Sequence, residues 1–347
     1  MRAQASRFQR GRMKSICVSN GMMAIGVPLS SAQQRSDRWY ASPTLRPAVP
    51  HHGHVDPHLW RGARPKVGME SQLGLKIMNG QTMKRGYADG PYGQIHYHDS
   101  GVGRPLVLIH QAPMSARQYD SVFPLLIARG IRPIAIDCPG FGMSDPTPFV
   151  PRIEQWACIV PAVLDHLGVR SAVQSGHHTG ALVVTEVEQQ FPQYVDKLVL
   201  GGVLILSDAE REFFDRVVAD ERAMRHQPDG SHLVDAFKLR YDMYGNNPAP
   251  TPELITRYTV ERFMGLGPFW YGHHAAFAYD HAAALMKIRR PAMILTNTGD
   301  QIYENAKLAH SLRPDFAFVA IPGGGIDITD QCPDEWVEAI DAYMRED

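Results

Sequence analysis

The sequence predicts an α/β protein: a mostly parallel sheet flanked by helices, with a helical cap inserted before the penultimate strand. From Pro105 onward, short apolar runs alternate with segments of helical periodicity, as in a parallel sheet covered on both faces. A turn with glycines at Gly176 and Gly180 joins an apolar run to a helical one. Residues 207–286 break the alternation and are too many for a loop, which indicates inserted helices.

Composition excludes several classes of protein. The 347 residues carry a formal net charge of −1, so nothing favours nucleic acid or an anionic membrane surface as a partner. The four cysteines have no paired spacing, which is typical of a reduced, cytoplasmic protein. No apolar run approaches the ~20 residues that span a bilayer. We therefore expect a small-molecule substrate as the partner, and a homodimer remains open.

Residues 1–68 do not resemble part of the folded domain. The stretch is basic, rich in Arg, Pro and His, and without periodicity. We interpret it as a disordered extension, or as the product of an early translation start with the true start at Met69 or Met83. The alternative is a targeting segment that ends near residues 30–32, in which case the protein is exported.

The first part of the domain is predicted as an antiparallel hairpin followed by strand–helix units. Order is expected from Lys84, with a hairpin around the turn at residues 89–93. The continuous apolar run at residues 105–109 predicts a strand buried on both faces. A helix over residues 116–129 and a strand over 133–137 follow.

The second part continues the alternation on both sides of the cap. Residues 152–167 are predicted helical because apolar residues recur at helical spacing. The predicted α/β core comprises residues 84–206 and 287–347, and residues 207–286 are predicted to form the cap. The remaining elements, in order, are strands at 172–173, 197–200, 291–295 and 316–321, and helices from 181 and over 335–344.

Four motifs in this order resemble the α/β-hydrolase superfamily over residues 84–347. They are His110-Gln111 after the first parallel strand, Asp137-x-Pro-Gly-x-Gly-x-Ser-Asp145 after the next, the elbow Gly176-x-His178-x-Gly180, and Gly299-Asp300 after a late strand. The cap makes the chain most similar to the branch that holds epoxide hydrolases, haloalkane dehalogenases, C–C hydrolases and small esterases. The resemblance implies the α/β-hydrolase fold with a nucleophile elbow and an oxyanion hole.

Two positions depart from the family pattern. The elbow residue, which is Ser, Asp or Cys in the family, is His178. The place of the triad histidine, counted back from Pro333, falls at Ile326. Because isoleucine cannot accept a proton, the Ser-His-Asp mechanism is not available to this chain.

We predict that His178 and Asp300 form a catalytic dyad that replaces the triad, since an imidazole reaches further from the backbone than a serine hydroxyl. The resemblance implies that Gln111 and Thr179 supply the main-chain N–H groups of an oxyanion hole. His178 as a nucleophile, catalysis by other groups, and loss of catalysis with retained binding stay open.

Five further residues are predicted to bind substrate: His110, Trp270, His273, His274 and Ile326. The cap is rich in aromatic residues, which favours a largely apolar ligand. No spaced cluster of metal ligands and no glycine-rich phosphate loop is apparent, so we predict neither a metal nor another cofactor.

The predicted function is a cofactor-free hydrolase for a small, largely apolar carbonyl compound such as an ester, lactone or thioester. We expect a carbonyl group in the substrate because the predicted oxyanion hole would bind its oxygen. We expect the rest of the substrate to be apolar because the predicted cap is rich in aromatic residues. One alternative on the same fold is a lyase or cofactor-independent oxygenase, in which the dyad removes a substrate proton. Another is a receptor-like binding protein without turnover.

Overall fold

The computed structural model describes residues 83–245 and 247–346, and these residues contain one eight-stranded sheet. The predictions about residues 1–68 concern a segment outside the described residues. The strands are β1 (Lys84–Gly90), β2 (Gly93–Asp99), β3 (Arg104–Ile109), β4 (Ile131–Ile136), β5 (Ala172–His177), β6 (Val195–Gly201), β7 (Ala292–Asn297) and β8 (Ala317–Ile321).

The sheet is parallel apart from one edge. Its strand order is β1-β2-β4-β3-β5-β6-β7-β8. The β1–β2 and β2–β4 pairs are antiparallel, whereas every pair from β4 to β8 is parallel. The predicted hairpin and the predicted parallel sheet are both confirmed.

Helices cover the sheet and fill the interval between β6 and β7. They are α1 (Phe123–Ala128), α2 (Ile153–Trp156), α3 (Ile159–His166), α4 (Thr179–Gln190), α5 (Asp208–Ala223), α6 (Ser231–Asp242), α7 (Pro252–Met264), α8 (Trp270–Phe277), α9 (His281–Leu285), α10 (Tyr303–Leu312), α11 (Ile328–Gln331) and α12 (Pro333–Arg345). We call α5–α9 the inserted helices. None of the described helices is long and apolar enough to cross a membrane.

Strand β3 shows why both faces of the sheet must be covered. Val107 and Ile109 belong to the apolar cluster on one face, which also contains Trp156. Leu106 and Leu108 belong to the cluster on the other face. Because successive side chains of a strand point to opposite faces, an uninterrupted apolar run requires helices on each side.

Two predicted helices are shorter than the sequence pattern indicates. The stretch predicted as a helix over residues 116–129 is a 3₁₀ turn, Ala116–Tyr119, followed by α1. The helix predicted over residues 152–167 is divided into α2 and α3. Pro161 lacks the N–H that a continuous helix would bond to Ala157, which removes one bond across the break.

Two glycines allow the turn between β5 and α4 to form. A Cβ atom at Gly180 would overlap the carbonyl oxygen of Ile109 in the neighbouring strand. A Cβ atom at Gly176 would overlap the carbonyl oxygen of Gly180. In both cases the obstacle is backbone, which cannot rotate away as a side chain can. The turn therefore requires glycine at both positions.

We expect Gly180→Ala to destabilise the fold by about 3 kcal/mol, at the upper end of the cost of overpacking, because a main-chain carbonyl must move. Gly168→Ala is the control: Gly168 has a φ of +63° but open space around it. Backbone strain alone should cost that variant about 1 kcal/mol. Urea unfolding measures both, and equal losses would contradict the steric account.

Candidate active site

His178 stands on the turn between β5 and α4 with an unusual backbone conformation. Its φ is 48° and its ψ is −112°, and among the described residues it alone has a positive φ without being glycine. Its N–H donates to the carbonyl of Gly201 at 2.6 Å. Such a conformation is costly and persists where surrounding contacts impose it, often at functional sites.

Asp300 follows β7 and meets the ring of His178. Its Oδ2 lies 3.0 Å from His178 Nε2, and its Oδ1 accepts the N–H of Ile302 at 3.1 Å. The Asp300 side chain is almost fully buried, whereas that of His178 is 17% exposed. The structure thus brings together two residues that lie 122 positions apart in the sequence.

The charge of Asp300 determines which nitrogen of His178 carries the proton. Burial by itself would raise the pKa of Asp300, but His178 and His177 more than offset this and hold the pKa below its usual value. An ionised carboxylate only accepts hydrogen bonds, so Nε2–H of His178 must be the donor. In the neutral form of the ring, the remaining nitrogen, Nδ1, then carries a lone pair.

His177 lies beneath the turn. Its Nε2 is 2.8 Å from the carbonyl of Ile326, to which it donates. Burial first, and then the neighbouring His178, lowers the pKa of His177 to about 3, so this ring is neutral. Among the described residues, His177, His178 and Asp300 form a group that could hold a metal ion, because each places one ligand atom within 4.8 Å of the others. The prediction that the site needs no metal stays a prediction.

A cavity opens in front of His178. Its volume is about 120 Å³, and its lining is mainly apolar. For comparison, a cavity of about 150 Å³ in another protein holds benzene. The core contributes Ala112, Met114, His178, Thr179, Leu204 and Ile326, and the inserted helices contribute Phe214, Leu239, Arg240, Tyr258, His273 and Phe277. The space suits a small ligand.

The main-chain N–H of Gln111 does not face the cavity as an open donor. It donates to the side-chain Oε1 of Gln118 at 2.8 Å, so the expectation for this residue needs correction. Within the described residues, the N–H groups of Ala112 and Thr179 have no acceptor, and both residues line the cavity. The sequence could not identify Ala112 as a donor. Only the hydrogen bond from the Gln111 N–H to the Gln118 side chain shows that the Gln111 N–H is occupied.

Two of the five predicted substrate-binding residues line the cavity, and three do not. Ile326 and His273 line the cavity. Trp270 and His274 do not, and instead they line a groove against α5 on the other side of α8. Adjacent helical residues point in different directions, which separates His273 from His274. His110 is buried, and its Nε2 accepts the N–H of Cys138 at 2.9 Å, so its role there is structural.

A buried ion pair that sequence reasoning missed joins the inserted helices to the core beside the cavity. Arg240 of α6 contacts Asp327, which also accepts hydrogen bonds from Tyr244 and from Gln111 Nε2. Burial alone would lower the pKa of Arg240, but the Asp327 carboxylate more than offsets this and the guanidinium stays charged. No local motif marks two residues 87 positions apart as partners.

A second buried acid lies where α7 meets the core. Glu261 accepts a hydrogen bond from Ser115 at 3.0 Å, and its other oxygen has no hydrogen-bond partner among the described residues. Burial raises the pKa of Glu261 to about 7, although Arg257 and Arg117 oppose the shift and Asp120 adds to it. The folded state therefore holds the proton more tightly than the unfolded chain does.

We expect Glu261→Gln to remove part of the pH dependence of stability. A raised carboxyl pKa stabilises the fold at low pH, and this contribution is lost as the pH rises from about 4.5 to about 7. Relative to the variant, the parent should lose up to about 3 kcal/mol between pH 5 and pH 8. Glu253→Gln, an exposed change in the same helix, is the control in urea unfolding. Parallel pH profiles for the parent and Glu261→Gln would contradict this.

The fold and the turn at His178 define a class of protein. The family model for the alpha/beta hydrolase fold matches residues 104–325. The chain belongs to this family, and the resemblance stated from its motifs is confirmed.

Several curated proteins are similar in sequence. A non-heme chloroperoxidase of Streptomyces lividans is 29% identical over 225 residues, which are 62% of this chain and 82% of that protein. A non-heme haloperoxidase of Rhodococcus erythropolis is 39% identical over 112 residues, and the match covers 32% of this chain but only 41% of that protein. A haloalkane dehalogenase of Mycobacterium tuberculosis is 32% identical over 33% of this chain and 40% of that protein.

Solved structures agree on the fold. A bromoperoxidase from Bacillus anthracis superimposes with a TM-score of 0.64 at 20% identity, covering 76% of this chain and all of that one. An epoxide hydrolase from an endophytic Streptomyces gives a TM-score of 0.62 at 19% identity, with 76% and 95% covered. At these identities the similarity concerns the fold alone.

Proposed function

We propose that this chain is a hydrolase that cleaves a small, largely apolar ester, lactone or thioester with a His178–Asp300 dyad. The proposal rests on one observation, the 3.0 Å contact between His178 Nε2 and Asp300 Oδ2 beside a largely apolar cavity. Membership of the hydrolase-fold family, and a relative named haloalkane dehalogenase, support hydrolysis as the reaction type.

The dyad acts as a general base. Asp300 holds the Nε2–H of His178, which leaves the lone pair on Nδ1 to take a proton from water. The water oxygen attacks the carbonyl carbon, and the π electrons of the carbonyl move to its oxygen. When the tetrahedral intermediate collapses, the C–O or C–S bond breaks and the imidazolium returns the proton to the leaving group. Water is consumed, and an acid and an alcohol or thiol are released.

The negative oxygen of the intermediate needs hydrogen-bond donors that are already in place. The N–H groups of Ala112 and Thr179 have no acceptor in the part of the chain that the structure describes, and both residues line the cavity. Main-chain donors serve this role well because they need no reorganisation during the reaction. We assign the oxyanion hole to Ala112 and Thr179, with Ala112 in place of Gln111.

We expect His178→Ala and Asp300→Asn each to lower kcat/KM for 4-nitrophenyl acetate by about 10²–10⁴-fold, the usual contribution of general-base catalysis. The double variant should be little worse than the worse single variant, because the two residues act as one unit. Steady-state kinetics measure all three. If the losses of activity in the two single variants add up in the double variant, the residues do not act as a dyad. Full activity in His178→Ala would likewise contradict the dyad.

Three controls separate the alternatives. A fluorophosphonate should leave the turn unlabelled, since no hydroxyl stands at position 178; stoichiometric labelling of Ser115 or Ser175 would reveal a different nucleophile. Dialysis against EDTA should preserve activity, whereas a loss restored by Zn²⁺ would assign a metal to His177, His178 and Asp300. A compound that raises the melting temperature without being consumed would favour the receptor-like alternative.

A further inference from the structure

Two buried polar atoms, in side chains of residues that line the cavity, have no hydrogen-bond partner among the described residues. One is Nε of Arg240, a donor, and the other is Oε1 of Gln111, an acceptor. Both residues line the cavity, and both are more than nine-tenths buried. Leaving such atoms without partners is costly, so a group that satisfies them is expected at this place.

The two atoms belong to one cluster, which we call the Asp327 node: Gln111, Arg240 and Asp327. Asp327 Oδ1 accepts from Gln111 Nε2 at 3.0 Å and also from Arg240 Nη2. In Gln111, the atom without a partner, Oε1, is bonded to the same carbon as Nε2, which donates to Asp327. In Arg240, the atom without a partner, Nε, is bonded to the same carbon as Nη2, which also donates to Asp327. A shared anchor therefore keeps the free donor and the free acceptor in one neighbourhood.

The node lies next to two of the positions that carry the family resemblance. Gln111 belongs to the motif after the first parallel strand, and Asp327 directly follows Ile326, where the resemblance places the triad histidine. The proposed dyad uses neither side chain.

The chemistry of the node selects its ligand. Arg240 Nε–H requires an acceptor, and Gln111 Oε1 requires a donor. An alcohol hydroxyl provides both on one atom. A carboxylate provides no donor, and the positive charge of Arg240 is already neutralised by Asp327. The other cavity-lining arginine, Arg262, is likewise paired, with Glu221 at 2.9 Å. An added negative charge would therefore be buried without a free counter-charge.

We propose that the Asp327 node is a hydroxyl-binding subsite, and that the substrate is a neutral carbonyl compound that also carries an alcohol group. This inference rests on the proposed function for the carbonyl part, whereas the hydroxyl subsite rests on the node alone. In a productive complex, the carbonyl oxygen lies at Ala112 and Thr179 while the hydroxyl accepts from Arg240 and donates to Gln111.

The test compares binding of benzyl alcohol, toluene and benzoate by isothermal titration calorimetry. Benzyl alcohol should bind about ten-fold more tightly than toluene, since it adds the two missing hydrogen bonds. Benzoate should bind more weakly than benzyl alcohol. Equal affinity for alcohol and toluene, tightest binding of benzoate, or no measurable binding of the alcohol would each overturn the subsite.

Variants assign the preference to the node. Gln111→Met keeps the side-chain volume without the acceptor, and Arg240→Met combined with Asp327→Asn removes the charge pair together. Each should reduce the preference for alcohol to about two-fold or less. Leu239→Met, at an apolar cavity position, is the matched control and should keep the preference. Should the double variant fail to fold, Gln111→Met decides alone, and an unchanged preference in it overturns the assignment.

The same titrations in His178→Ala separate this inference from the proposed function. The preference for alcohol should survive there, because the node does not include the dyad. If His178→Ala retains full esterase activity while the preference follows the node, the dyad is wrong and the subsite stands. If the dyad variants lose activity and no preference exists, the subsite alone is wrong.

Discussion

The turn at His178 is the constraint on which the site depends. An L-residue held at positive φ is strained, and here the surroundings leave the chain no alternative. Gly176 and Gly180 have no Cβ to oppose the close approach of strand and helix, and a Cβ at Gly202 would overlap the ring of His178. The same turn places the imidazole against Asp300 and leaves the N–H of Thr179 without an acceptor among the described residues. The turn that the fold requires therefore also positions the residues of the site.

Ile326 and Asp327, which follow β8, help to hold the site together. Ile326 contributes its carbonyl to His177 and its side chain to the cavity wall. The following residue, Asp327, ties the core to the inserted helices through Arg240 and Tyr244. Buried pairs of this kind are costly when one partner is removed, so they fix the position of the inserted helices over His178.

Much of this arrangement follows from local sequence, and the rest depends on contacts between distant residues. The parallel sheet and the turn at His178 were predictable because apolar runs and glycine spacing are local signals. The partners of Gln111 and Arg240 were not. Which N–H is free depends on a side chain seven residues away, and the Arg240–Asp327 pair spans 87 positions. Whether Trp270 and His274 face the cavity depends on how α8 is rotated about its axis. Aromatic residues occur on more than one side of this helix, so the sequence does not show the rotation.

We propose that Asp300 fixes the tautomer of His178 so that Nδ1 is the base. Nitrogen-15 NMR of histidine-labelled protein at neutral pH reports directly which ring nitrogen carries the proton. We expect a proton on Nε2 and a lone pair on Nδ1, and a loss of this single tautomer in Asp300→Asn. A proton on Nδ1 in the parent, or a spectrum unchanged by Asp300→Asn, would contradict it.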